Sequence, residues 1–360
     1  MEKSILNLKE SVENLPLTQK KLFRRFFKVA EAEGLVFPPK SMEFWIKEKF
    51  GKLEAVKKQK IIRVTNVLTG EETFFNELRA KRPIEAKKIP VPEELRQTET
   101  CSFCRPLKKT PEDIFGRIKG RYSLTASNVA KYDAWHGLVI FSEHSPWQFT
   151  EEKIADFFQT ASLWFKKVKK YDPKAIYPFL MWNCLWKAGA SLVHGHIQLV
   201  VARERPYAKV EKLEKLAKAY QKQYLTDYFD DLFKVHDSLG LAIKFHSTKI
   251  ISYLTPLKEK EIMVISPRIN RLFFRTLSLL LQIFFELGVK SFNLITIFPT
   301  LKDISWHLPV LTRILDRGAL ENQISDIGGM ELYSASIVSS DPFFLIKEIK
   351  KRIACGLTKI

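Results

Sequence analysis

The stretch KAGASLVHGHIQLVVARERPY, residues 187–207, carries two histidines one residue apart in an otherwise apolar run. Its short span, its β-branched residues and the flanking Gly189 and Pro206 predict a β-strand rather than a helix. Because successive strand residues face opposite sides, one face is expected to carry Leu192, His194, His196, Gln198 and Val200. A lone histidine on an apolar face is typical of a hydrogen-bonded core residue. Two histidines and a glutamine at alternate positions indicate instead that this strand face belongs to a functional site.

A chain of 360 residues is long enough to bury a hydrophobic core. Since single domains usually hold about 100–200 residues, we expect two domains or lobes. The first residues, MEKSILNLKESVENLP, alternate charged and apolar types, which is not the pattern of a signal peptide. The longest apolar run, LFFRTLSLLLQIFFELGV, is interrupted by Arg275, Gln282 and Glu286 and is too short to span about 30 Å of hydrocarbon. We therefore expect a soluble, cytoplasmic protein without a membrane partner.

The formal charge of +19 favours anionic partners, namely nucleotides, sugar phosphates or nucleic acid. The lysines come as scattered pairs such as Lys87-Lys88 and Lys169-Lys170, interleaved with glutamates, which is typical of solvated surfaces rather than of a nucleic-acid groove. The sequence contains no glycine-rich phosphate loop of the Walker or dinucleotide type. Those nucleotide-binding folds are therefore not expected.

Four cysteines in 360 residues fit a reducing compartment, and Cys101 and Cys104 form a CxxC motif. Thiolates and imidazoles are ligands that Zn²⁺ prefers, so the motif predicts half of a tetrahedral zinc site. Candidates for the other two ligands are His136, His144 and one of His194 and His196. A redox CxxC usually opens a helix after a strand of a parallel sheet, whereas this motif follows a proline-bearing linker. We expect the zinc to be structural, because such a ligand set leaves no open position.

The pattern along the chain predicts an N-terminal helical extension, residues 1–60, and two related lobes, residues 61–210 and 211–360. In the extension, TQKKLFRRFFKVAEAEG is read as one amphipathic helix that ends at Gly34. In the first lobe, a strand, a helix capped by Thr150 and a second strand precede the histidine strand. A similar strand-helix-strand order recurs about 125 residues later without the CxxC or the paired histidines. This suggests that only the first lobe kept its chemistry.

Four segments in this order resemble the galactose-1-phosphate uridylyltransferase branch of the histidine-triad superfamily, over roughly residues 60–340. They are NVLTGEETFFNELRAKRP, CSFC, SEHS and GASLVHGHIQ. The resemblance implies an α+β, HIT-like fold of two lobes, each with an antiparallel sheet flanked by helices. It also implies that zinc is held by Cys101, Cys104, His144 and His194, and that His196 is the catalytic nucleophile, assisted by Gln198.

The resemblance implies substrate-binding residues as well. Substrate phosphates are assigned to Asn183, Gly189, Ala190, Ser191 and Gln198. The nucleotide is assigned to Arg79, Ala80, Lys81 and Arg82, with Asn128 at its ribose or base. The segment GGMELYSASIVSSDP resembles one that reaches the active site of a partner subunit, which implies a homodimer. Gly195 stands where the family usually has proline, and Ile197 where it often has glycine.

The implied reaction is transfer of a nucleoside monophosphate, UMP, between a nucleotide sugar and a hexose 1-phosphate through a covalent nucleotidyl-histidine. This is the chemistry of galactose and other carbohydrate metabolism. One alternative is a dinucleoside polyphosphate or ADP-sugar phosphorylase that uses the same covalent histidine. Another is a zinc-stabilised nucleic-acid-binding protein without catalysis. Asn183, Ser191, His196 and Gln198 together favour a transfer enzyme, because a mere binder needs no nucleophile, so nucleic acid is not expected as a partner.

Overall fold

The structure, a computed structural model, describes residues 3–81, 100–322 and 324–355. The N-terminal elements are α1 (Leu8–Glu13), α2 (Leu17–Phe26), β1 (Phe27–Leu35), α3 (Glu43–Phe50), α4 (Leu53–Lys57), β2 (Lys58–Asn66) and β3 (Glu72–Phe75). The next are α5 (Pro106–Lys109), β4 (Ser123–Ser127), β5 (His136–Phe141), α6 (Glu151–Tyr171), β6 (Ala175–Cys184) and β7 (His196–Arg203). The last are α7 (Ala208–Tyr224), α8 (Tyr228–Leu239), β8 (Ala242–Phe245), β9 (Thr248–Ser252), β10 (Ile262–Ser266), α9 (Arg271–Glu286), β11 (Phe292–Ile297), β12 (Val310–Asp316), α10 (Gly329–Tyr333), β13 (Ser336–Val338) and α11 (Pro342–Ala354).

The largest element of the fold is a nine-stranded antiparallel sheet in the order β4-β5-β7-β6-β11-β12-β10-β9-β8. Its two halves meet where β6 pairs with β11, with Phe292 opposite Cys184 and Ile297 opposite Phe179. Helices α6 and α9 pack against each other, and one hydrophobic cluster includes residues of both halves and both helices. Helix α6 begins as predicted, because the Thr150 side chain accepts a hydrogen bond from the Lys153 backbone N–H.

The two halves of this sheet repeat one topology. The first runs β4, β5, α6, β6, β7, and the second runs β9, β10, α9, β11, β12. Counted from corresponding strand ends, the pairing of β5 with β7 and of β10 with β12 equates Arg313 with Gln198 and Leu311 with His196. The predicted α+β fold of two related lobes is confirmed. The lobes share one continuous sheet, and the second carries no histidine or glutamine at these two positions.

The N-terminal segment differs from its prediction. Helices are present, but the helix expected to continue to Gly34 ends at Phe26, and the chain goes on as strand β1. The spacing of Phe23, Phe26 and Phe27 suits a continuous helix. In the structure Phe23 and Phe26 lie in the last turn of α2, Phe27 is the first residue of β1, and all three are buried. Pairing of β1 with β2 along its whole length supplies the backbone hydrogen bonds that a longer helix would have made. This tertiary pairing outweighs the local helical pattern.

Strands β1, β2, β3 and β13 form a second sheet, in which β13 runs parallel to β3. A cluster of charged and polar side chains joins this sheet to the second half of the large one. Arg313 lies between Glu71 and Glu261, with its Nη1 donating to Glu71 Oε1 at 2.7 Å, and the Tyr253 hydroxyl donates to Glu71 Oε2 at 2.7 Å. Among the helices of the described residues, none has the length and apolarity needed to cross a membrane.

Gly137 of β5 gives a test of how the first half packs. A Cβ at this position would lie 2.6 Å from ring atoms of the buried Trp164, whose Nε1 is held by Asp113 Oδ2 at 2.7 Å. Gly137→Ala is therefore expected to lower the free energy of unfolding by about 1–3 kcal/mol, the usual cost of overpacking. Gly34→Ala in β1 is the matched control, because its added Cβ would make only ordinary contacts, at 3.6 Å or more. Equal urea midpoints for the two variants would contradict this packing.

Candidate active site

Four potential metal ligands come together between the strands of the first half. Cys101 and Cys104 lie in the turns before α5, His144 lies just after β5, and His194 lies just before β7. Their ligand atoms are all within 4.8 Å of one another. Cys104 Sγ is 3.3 Å from His144 Nδ1 and 3.5 Å from His194 Nδ1, and Cys101 Sγ is 3.6 Å from His194 Nδ1.

These distances fit a tetrahedral zinc site. Zn–S bonds of about 2.3 Å and Zn–N bonds of about 2.0–2.1 Å at a tetrahedral angle place sulfur and nitrogen roughly 3.5 Å apart. His194 Nε2 donates to the Phe141 carbonyl oxygen at 2.8 Å, which leaves the Nδ1 lone pair facing the thiols. Burial raises the pKa of the Cys104 thiol to about 11, with Cys101 adding to the shift, and burial lowers the pKa of His194 to about 4. A divalent cation bound here would displace the thiol protons.

His194 and His196 take opposite tautomers, each fixed by a backbone carbonyl. His196 Nδ1 donates to the His194 carbonyl oxygen at 2.8 Å, so the lone pair of His196 lies on Nε2. His196 is 6% exposed, and burial lowers its pKa below the ordinary 6.5, which keeps the ring neutral. The ring of Phe103, from the CxxC turn, meets His196 edge-on at 5.2 Å. Phe103 packs on Ala126, Leu138 and Ile140, which attaches the CxxC turn, Cys101 to Cys104, to this face of the sheet.

The position of His194 corrects the predicted strand. Strand β7 begins at His196, so Leu192 and His194 precede it rather than continue its face. Gly195 explains why the chain turns there: its N–H donates to the His144 carbonyl oxygen, and a Cβ would lie 2.3 Å from the Phe141 ring. A proline, usual in the family, would lose this hydrogen bond and meet the ring. His196 and Gln198 share one strand face as predicted.

Gln198 is 7% exposed, and its Oε1 lies 3.1 Å from His136 Nε2. Within the described residues its amide nitrogen has no hydrogen-bond partner. His136, one of the histidines considered as a metal ligand, thus lies beside Gln198 and not in the metal cluster. Asn128 also belongs to this group, because its Nδ2 lies 3.1 Å from His136 Nε2 and its Oδ1 accepts from the Ala130 N–H.

Of the residues predicted to hold phosphates, Gly189, Ala190 and Ser191 lie in a tight loop after β6, whereas Asn183 lies in β6 and Gln198 in β7. Leu185 has the unusual φ of 66°, and its carbonyl oxygen accepts from the N–H groups of Ala188 and Ala190. Gly189 has φ 90°, a left-handed conformation that favours glycine. Ser191 is exposed and Ala190 is buried.

Residues of the second half support this loop, and the sequence did not indicate them. Asn293 lies opposite Asn183 across the β6–β11 pairing, and its Nδ2 donates to Asn183 Oδ1 at 2.8 Å and to the Ala188 carbonyl oxygen at 2.9 Å. Arg317 Nη1 donates to Asn293 Oδ1 at 2.6 Å, and its other nitrogens bind both carboxylate oxygens of Asp326 at 2.7 and 2.8 Å. The second half therefore orients the loop through side-chain amides.

The basic turn predicted to bind the nucleotide lies on the smaller sheet. Arg79, Ala80 and Lys81 end a 3-10 turn, Glu77–Lys81, and all three are exposed. Lys81 Nζ donates to the Phe50 carbonyl oxygen at 3.3 Å. Across the parts of the chain that the structure describes, no hydrogen bond or ion pair joins this turn to His196 or Gln198. Arg82 lies outside the described residues, so the assignment of this turn stays a prediction.

Comparison of the sequence with known protein families finds no match, and comparison with curated proteins finds none either. Solved structures do match. An ADP-glucose phosphorylase from Arabidopsis thaliana, with bound ADP-glucose, has TM-score 0.61 and 16% identity, covering 80% of this chain and 97% of that chain. A GalT-like protein from the same plant has TM-score 0.56 and 16% identity, covering 71% and 93%. A uridylyltransferase has TM-score 0.57 and 13% identity, covering 82% and 99%.

These likenesses concern the fold. The chain shares the fold of these solved structures, which agrees with the fold expected from its motifs. The relatives with solved structures include a phosphorylase as well as a uridylyltransferase.

The metal site is tested by removing its thiols. We expect one zinc per chain in freshly purified protein by elemental analysis and none in a Cys101→Ser/Cys104→Ser variant, because two imidazoles alone hold zinc weakly. Cys355→Ser is the control, since Cys355 is exposed and outside the cluster. Protein without tightly bound metal, or a double variant with unchanged metal content, would contradict the assignment.

Proposed function

We propose that this protein is a nucleotidyltransferase that works through a covalent nucleotidyl-histidine on His196. The observation that carries the proposal is the hydrogen bond from His196 Nδ1 to the His194 carbonyl oxygen. It leaves the Nε2 lone pair for attack, and burial keeps the ring neutral. A neutral imidazole attacks phosphorus without first losing a proton.

The reaction has two half-reactions. In the first, His196 Nε2 forms a bond to the α-phosphorus of a nucleotide sugar, and the bond from that phosphorus to the bridging oxygen breaks, so the sugar phosphate leaves with the electron pair. In the second, a phosphate oxygen of the acceptor attacks the same phosphorus and the N–P bond breaks. The free amide nitrogen of Gln198 donates to a non-bridging oxygen as negative charge moves onto it. Asn183 and the 188–191 loop hold the remaining phosphate.

Zinc held by Cys101, Cys104, His144 and His194 would serve the structure, fixing the CxxC turn and the position of the His194 carbonyl that orients His196. The four protein ligands leave no position for substrate. The free thiols of the chain fit a reducing compartment, which supports the cytoplasm as its location.

For the substrates we propose UMP transfer between a nucleotide sugar and a hexose 1-phosphate. The support is the motif order along the chain together with the likeness in fold to a uridylyltransferase. A phosphorylase, with orthophosphate as the acceptor, is the second candidate. It is favoured by the likeness to the ADP-glucose phosphorylase and uses the same histidine. Incubation with UDP-sugars and ADP-sugars, followed by intact mass measurement, identifies the nucleotide that stays on the protein.

We also propose that the protein is a homodimer. In the described segment 324–333 several apolar side chains are exposed, among them Leu332 at 64% and Tyr333 at 90%. This segment overlaps the beginning of GGMELYSASIVSSDP, residues 328–342, which resembles a partner-reaching segment of the family. A contiguous exposed apolar surface is typical of an interface, and a twofold dimer would bury it on both copies.

Covalent catalysis predicts that the first product leaves before the second substrate binds, so initial-rate plots at fixed second-substrate levels should be parallel. His196→Ala should abolish transfer with unchanged zinc content, and Gln198→Ala should slow transfer by roughly 10²-fold, as for loss of one oxyanion donor. His246→Ala, in the exposed turn between β8 and β9, is the control. Intersecting plots without labelled protein would mean direct transfer, and wild-type turnover by His196→Ala would refute the proposed role.

Light scattering at micromolar concentration tests the dimer. We expect the mass of two chains for the wild type and of one chain for Leu332→Asp, since the new charge would be buried at the interface. Leu225→Asp is the matched control, because Leu225 is 88% exposed and lies in the turn between α7 and α8. A fully active wild-type monomer would rule out the dimer.

A further inference from the structure

A third buried histidine of the first half, His136, contacts the catalytic strand outside the metal cluster. It is fully buried at the start of β5, and the pairing of β5 with β7 places it on the face that carries His196 and Gln198. Its Nε2 lies 3.1 Å from the side-chain oxygen of Gln198. The ring of Tyr132 stacks on it at 4.3 Å. Nothing in the reaction outlined above uses this histidine.

The backbone fixes which nitrogen of His136 carries the proton. The Tyr132 N–H donates to His136 Nδ1 at 3.0 Å, and a backbone N–H cannot act as an acceptor. Nδ1 is therefore the acceptor, and a neutral ring has its only proton on Nε2. Burial lowers the pKa of His136, and Lys131 adds to this, against the Gln198 hydrogen bond and the charge of Asp133. The neutral Nε2–H tautomer follows.

A proton on Nε2 has two neighbours, and only one can accept it. Asn128 presents its Nδ2 at 3.1 Å, with its Oδ1 engaged by the Ala130 N–H, so Asn128 offers the ring no acceptor. The Gln198 oxygen is the acceptor. Because Asn128 already turns a donor toward the ring N–H, the reverse orientation of the Gln198 amide would set a second donor against it and leave that proton without an acceptor. His136 thus directs the NH₂ of Gln198 away from itself.

We propose that His136 is a positioning residue that holds the Gln198 amide with its NH₂ group turned toward the reacting phosphate. The inference rests on the proposed function and deepens it. It explains why the Gln198 amide, whose oxygen and nitrogen could exchange places by a half-turn, presents its NH₂ group to the phosphate. In the second half, the position of Gln198 is taken by Arg313, which needs no such partner because every nitrogen of a guanidinium is a donor.

The first test follows the single-turnover rate of nucleotidylation of His196 by a nucleotide sugar. His136→Phe keeps a ring against Tyr132 but removes the N–H, and we expect a rate lower by roughly 10–10²-fold, up to the effect of losing one oxyanion donor. His136→Gln restores an N–H donor and should recover most of the rate. The double variant His136→Phe/Gln198→Ala should be no slower than Gln198→Ala alone, because His136 acts through Gln198.

His236→Phe is the matched control. His236 is also fully buried and also accepts a backbone N–H, from Leu254 to its Nε2, but it lies on α8 far along the chain from the site. It should lower stability without changing the nucleotidylation rate of the folded protein. A wild type that no nucleotide sugar labels overturns the proposed function and this inference with it. A labelled wild type with an unchanged rate in His136→Phe overturns this inference alone, as do additive effects in the double variant.

A second measurement needs no variant and no substrate. In protein with ¹⁵N-labelled histidine, the imidazole of His136 should show a protonated Nε2 and an unprotonated Nδ1 at neutral pH. This readout decides the matter even if His136→Phe does not fold. An unprotonated Nε2 would refute the proposed orientation of Gln198.

Discussion

The antiparallel pairing of β6 with β11 is the contact on which the rest of the molecule depends. It turns two half-sheets of four and five strands into one sheet and lets α6 and α9 bury their apolar faces against each other. It also sets Asn293 opposite Asn183, so that a side chain of the second half reaches the loop after β6. The loop's conformation, with Leu185 and Gly189 both at positive φ, is therefore stabilised from across the seam.

The two halves of the large sheet share one topology but differ in the residues at corresponding positions. At the positions of His196 and Gln198 the second half has Leu311 and Arg313, so it has neither the histidine nor the glutamine there. Arg313 instead bridges Glu71 and Glu261, which attaches the smaller sheet. Removing Arg313 would leave the buried carboxyl group of Glu261 without its partner, and breaking a buried pair costs about 3–5 kcal/mol, so Arg313 has a structural role.

Sequence reasoning succeeded where a local pattern coincides with a structural one. Three features could be predicted from residue spacing and capping, which act over a few residues. They are the pairing of the two CxxC cysteines in one cluster, the capped start of helix α6 and the repeated strand-helix-strand order. It failed where tertiary contacts decide. Strand β1 forms because β2 is available to pair with it, and Asn293 and Arg317 matter because of a register that only the folded sheet sets. The proposed role of His136 depends on the backbone N–H of Tyr132, and no residue type in the sequence indicates that contact.

The cluster of four potential metal ligands and His196 are linked through the main chain. The Phe141 carbonyl holds His194 Nε2, the His194 carbonyl holds His196 Nδ1, and the Gly195 N–H between them is held by the His144 carbonyl. Two of these residues, His144 and His194, belong to the potential metal cluster, so whatever fixes the cluster also orients the His196 ring. Because the acceptors are backbone carbonyls, changes of side chain elsewhere cannot supply or replace them. This arrangement connects the cluster to the neighbouring strand: the His194 carbonyl accepts from His196 Nδ1 and so determines that Nε2 is the nitrogen of His196 with the free lone pair.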